Sequence, residues 1–109
     1  MGLVASQHRL INLVARKNNL EFVGQQINQE RTSLAYQESN LFTSNTNLTP
    51  NSDDSLRIQS KISALQAQDK TLELQLRNID TQQQAVSTEL QSLNKVIEKS
   101  IEFIYKGLA

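Results

Sequence analysis

The stretch that decides the fold is residues 53–106, DDSLRIQSKISALQAQDKTLELQLRNIDTQQQAVSTELQSLNKVIEKSIEFIYK. Stepping by seven from Ile58 passes through Leu65, Leu72, Ile79, Val86, Leu93 and Ser100. A second row, offset by four, runs Ile62, Asp69, Leu76, Gln83, Leu90, Ile97 and Ile104. Eleven of these fourteen positions are apolar, and no Gly or Pro interrupts the run. Apolar residues spaced alternately four and three apart share one stripe of an α-helix, so the two rows form the seam of a coiled coil. The pattern predicts a single helix of roughly 80 Å, at ~1.5 Å of rise per residue.

Upstream of this run lies a break, Thr43-Ser44-Asn45-Thr46-Asn47-Leu48-Thr49-Pro50-Asn51-Ser52, rich in residues whose side chains compete with helix for backbone hydrogen bonds. It holds the only proline. Thr49 can cap the following helix with Pro50 opening it, or Ser52 can be the cap. Asp53 and Asp54 then complement the positive end of the helix dipole. Before the break, Leu13, Leu20, Ile27, Leu34 and Leu41 recur every seven residues, with Leu3 and Leu10 in a neighbouring row. That second row continues through Lys17, Gly24, Arg31 and Glu38, and Val14, Phe22 and Val23 are scattered beside it. An amphipathic helix is predicted here. Gly24 costs it about 1 kcal/mol of propensity, either tolerated or used to let another helix approach. The expected organisation is one all-α domain, a long antiparallel coiled-coil hairpin: a helix within residues 1–42, a loop over 43–52, and a longer helix within 53–109.

Folding at the loop brings Leu34 near Ile62, Leu20 near Leu76 and Leu3 near Leu93. A slightly shifted hairpin instead makes Asp69 face Arg31 and brings Gln83 toward Lys17. Asp69 and Gln83 are polar at seam positions, either to specify register at a cost in stability or because a thin bundle leaves them partly solvated. Residues beyond about Leu93 overhang the first helix by roughly 15–22 Å. Val96, Ile97, Ile101, Phe103, Ile104, Tyr105 and Leu108 lie there and cover several faces of the helix. Each is worth about 1.5–3 kcal/mol when removed from water, so a subunit or partner interface is expected at this end.

Composition narrows the function. The 109 residues carry 11 Lys+Arg against 11 Asp+Glu, which removes the electrostatic footprint of a nucleic-acid binder. There is no Cys, so no disulfide framework or thiolate metal site, and aromatics make up 5%. His8 is the only histidine and supports neither a His-paired nucleophile nor a multi-ligand metal centre. With no phosphate loop and no paired carboxylates, neither an enzyme nor a cofactor is expected. Among the first twenty residues Arg9, Arg16 and Lys17 are uncompensated by any acid; this mildly basic helix end suits headgroups or a nucleic acid and, equally, an acidic neighbour in an assembly, and membrane contact is not expected. Met1-Gly2-Leu3-Val4-Ala5-Ser6 fits the N-myristoylation pattern, and Asn47-Leu48-Thr49 is formally a glycosylation acceptor. The first residues have charges after rather than before their apolar positions, so a signal peptide is not expected.

A Cys-free helix–loop–helix with a polar, proline-containing loop resembles the needle subunits of bacterial type III secretion systems and, more loosely, flagellar axial proteins. Thr49-Pro50-Asn51-Ser52-Asp53 is similar to the family's loop turn. Asn94-Lys95-Val96-Ile97-Glu98-Lys99, followed by Ile101, Phe103 and Ile104, is similar to its last helix. This chain is longer than a typical needle subunit, its heptads are more regular, and its loop lacks the second proline. The resemblance implies a subunit that builds a helical tube through its terminal helices. It also implies export without a cleaved leader or a place on the cell surface. The rival expectation is a cytoplasmic coiled-coil adaptor or chaperone that binds a helical partner as a discrete oligomer.

Overall fold

A computed structural model describes residues 2–108; Met1 and Ala109, the outer limits of the two expected helical segments, lie outside the described residues. The fold is all-α: α1 spans Leu3–Thr46 and α2 spans Asp53–Leu108, so the second helix of the hairpin is the longer. α1 runs four residues past the expected Phe42. The hydroxyl of Thr43 donates to the Ser39 carbonyl and that of Thr46 to the Thr43 carbonyl, satisfying polar side chains within the helix itself. Asn45, in this last turn, accepts a 2.8 Å hydrogen bond from Ser55 of α2.

The turn between the helices follows from two residues. Ser52 N–H donates to the Thr49 carbonyl at 3.1 Å, with Pro50 and Asn51 between them. Asn51 has φ of 62°. A type II turn requires a left-handed residue at the third position and favours proline at the second, and Asn tolerates that conformation better than other residues with a Cβ. Pro50 therefore sits in the turn, and Ser52 is the cap: its Oγ accepts from Ser55 N–H at 3.2 Å. Asp53 and Asp54 occupy the first turn of α2.

The chain divides into two compact units, each built from a piece of both helices: residues 1–23 with 79–109, and residues 24–78. In the second unit Arg31 pairs with Asp69, Glu38 with Gln66 and Asn45 with Ser55. Positions advance along α1 as they recede along α2, so the helices run antiparallel. Ile27 and Ile62 are buried there, and Leu34, Leu41, Ile58, Leu65, Leu72 and Leu76 are half-buried. In the first unit Leu13, Leu20, Val86 and Leu93 form a buried cluster flanked by Leu10, Ile79, Leu90 and Ile97. Burial on α2 follows the two heptad rows from Ser55 to Ser100.

The register differs by about one helical turn from the pairing of Leu34 with Ile62. That pairing would set Asp69 against Ile27 and Gln83 against Leu13, leaving polar groups against apolar side chains. The observed register places Asp69 on Arg31 and Leu34 at the level of Leu65. The shifted alternative is the one adopted at Arg31. Gln83 is half-buried and Lys17, at its level, is exposed.

Candidate assembly surface

Three groups of side chains stand apart from ordinary core packing. The first is the polar set on the seam. Arg31 Nε and Nη2 donate to Asp69 Oδ1 and Oδ2 at 2.8 and 3.2 Å. The Arg31 hydrogen bonds hold the Asp69 carboxyl below its ordinary range; partial desolvation opposes this and the guanidinium charge reinforces it. The same hydrogen bonds raise the Arg31 pKa against a smaller desolvation effect, and the charges of Asp69 and Glu73 raise it further. A planar fork meeting a carboxylate is geometrically selective, so this pair marks one register among several that leucines alone would permit.

The second group is the tail of α2. Val96, Ile101, Phe103, Ile104, Tyr105 and Leu108 are all exposed, with Phe103 at 80% and Leu108 at 81%. Ile97 does not belong with them. The displaced register carries α1 one turn further along α2, and Ile97 packs on the internal cluster. Ser100 is half-buried as well, so the open segment begins at Ile101 and is shorter than an overhang starting at Leu93. Gly2, Leu3, Val96, Lys99, Ser100, Phe103 and Ile104 line an open groove of about 480 Å³ at this end.

The third group is a second apolar stripe on α1. Val4, Ile11, Ala15 and Phe22 are spaced seven, four and seven apart, with Val14 at the edge, and all are exposed. Because the helix already buries Ser6, Leu13 and Leu20 and half-buries Leu3 and Leu10 on its seam, this stripe is additional to the core. In the sequence, Val14 and Phe22 stand as scatter beside one amphipathic face; the signal that separates them is a second heptad phase in the same segment.

His8 stands exposed on α1, and Arg9 forms a 3.2 Å ion pair with Glu89 across the first unit. Among the described residues no group of three or more His, Cys, Asp or Glu is placed to hold a metal ion. No described helix is long and apolar enough to cross a membrane. The chemistry on offer is apolar helix packing, aligned by a polar seam. Comparison with protein-family models, curated proteins and solved structures finds no match for this chain.

Proposed function

We propose that this protein is a non-enzymatic structural subunit that self-assembles through its α2 tail into a helical filament of the kind formed by bacterial secretion needles. The observation that carries the reading is the run Ile101–Leu108, in which Ile101, Phe103, Ile104, Tyr105 and Leu108 are exposed at the end of a helix whose other apolar rows are covered. Soluble monomers rarely leave such a cluster in water.

Export or a place on the cell surface belongs to this reading. The experiment is sedimentation and negative-stain electron microscopy across a concentration series. Elongated polymers that grow with concentration support the proposal. A monomer at millimolar concentration overturns it, and a discrete complex with one co-purified helical protein points to an adaptor instead.

A further inference from the structure

The seam of α2 continues past the point where α1 begins. Ile97 is half-buried on the core, whereas Ile104, seven residues on in the same row, is 46% exposed. Ile101, Tyr105 and Leu108 widen this open seam on one side, and Phe103 extends it on the other. An open heptad seam is filled by a helix bringing its own apolar stripe at matching spacing. Among the described residues, the Val4, Ile11, Ala15, Phe22 face of α1 is such a stripe without a covering helix. Exposed apolar side chains outside these two patches, such as Tyr36, Phe42, Leu56 and Leu74, do not form a comparable row.

We infer that the α2 tail of one copy, Ile101–Leu108, packs against the Val4–Ile11–Phe22 face of α1 in the next copy. The inference rests on the self-assembly reading and names its two contact surfaces. Two different patches meeting make a heterologous contact, which leaves one patch free at each end and so propagates rather than closing as a two-fold dimer does.

The test uses two variants of the full chain. Ile11→Glu/Phe22→Glu spoils the receiving face, and Ile104→Glu/Leu108→Glu spoils the tail. All four side chains are exposed and Glu favours helix, so circular dichroism should show unchanged helicity. Each variant alone should sediment as a monomer where the unaltered chain polymerises. Their equimolar mixture should give a one-to-one dimer that does not grow, because the intact tail of one meets the intact face of the other. If the unaltered chain polymerises but the receiving-face variant does so equally, or the mixture stays monomeric, this contact is wrong and self-assembly stands. If the unaltered chain does not assemble at all, the self-assembly reading fails and this contact with it.

Discussion

Arg31 and Asp69 meet fork to fork across the two helices, Nε to Oδ1 at 2.8 Å and Nη2 to Oδ2 at 3.2 Å, at seam positions where the neighbouring layers carry leucine and isoleucine. Both side chains keep about a third of their surface in water, 31% and 37%. The pair therefore acts mainly on alignment. A leucine-rich seam tolerates sliding by a turn, and a bidentate ion pair does not.

Truncating one member should be worse than replacing both. Asp69→Leu or Arg31→Leu alone leaves a charge on the seam facing an apolar neighbour and should lower Tm. The double variant Arg31→Leu/Asp69→Leu should recover Tm to the original value or above it. Spin labels on the two helices should then report a broader distance distribution, as register loosens. A double variant less stable than both single ones contradicts this account.

The pH dependence has a definite sign. Asp69 is held below its ordinary value of 3.8, so its contribution is present above that value and is lost as pH falls through its folded-state pKa. Arg31 is raised above an already high value, and its contribution persists at every pH below that range. Chemical denaturation should give a stability that declines below about pH 4, and Asp69→Asn should flatten part of the decline. An acid limb unchanged by Asp69→Asn would remove the pair from the account of acid sensitivity.

Core and outer-face leucines should separate cleanly. Leu13 is 7% exposed within the buried cluster, and Leu13→Ala should cost about 2–4 kcal/mol of unfolding free energy. Leu74 is 53% exposed, and Leu74→Ala should stay within about 0.5 kcal/mol. Urea unfolding under conditions that keep the protein monomeric makes the comparison.

Ser6 is a different kind of core position. It has no exposed surface, and its hydroxyl oxygen has no hydrogen-bond partner among the described residues. Removing an unsatisfied buried hydroxyl while keeping a small side chain should leave stability unchanged or raise it by up to about 1 kcal/mol. Ser6→Ala, measured by thermal unfolding, should therefore not lower Tm, whereas Ser6→Leu should, since the site lacks room for added methylenes.

The turn supplies a last contrast. Ser52→Ala removes the acceptor for the Ser55 N–H and should cost about 1 kcal/mol. Asn51→Gly should be nearly neutral because φ of 62° suits glycine, while Asn51→Val should be clearly destabilising. Equal effects of Gly and Val in thermal melts would count against a left-handed turn residue.

The heptad rows of α2 were legible because periodicity is a local property of the chain. Any helix carrying Ile58, Ile62, Leu65 and their successors turns them to one side, and burial follows those rows as far as Ser100. The two-helix fold class follows from the same property, together with a loop of helix-competing residues. The apolar tail residues could be named for the same reason, since their density is visible without knowing what packs on them.

Register, the cap and the second stripe were less legible, each for its own reason. Register is a relation between two segments far apart in sequence. The choice between Leu34 opposite Ile62 and Arg31 opposite Asp69 turns on which pairing leaves polar groups satisfied. That choice decided that Ile97 belongs to the core and Ile101 to the surface. Thr49 and Ser52 were equivalent caps until the turn geometry assigned one. Val4, Ile11 and Phe22 became a face in their own right only once the tertiary structure had placed the seam of α1 elsewhere. By itself, the sequence determined the helices, their heptad phase and an unbalanced apolar end; the tertiary structure decided which of those apolar residues are buried inside the chain and which stay exposed.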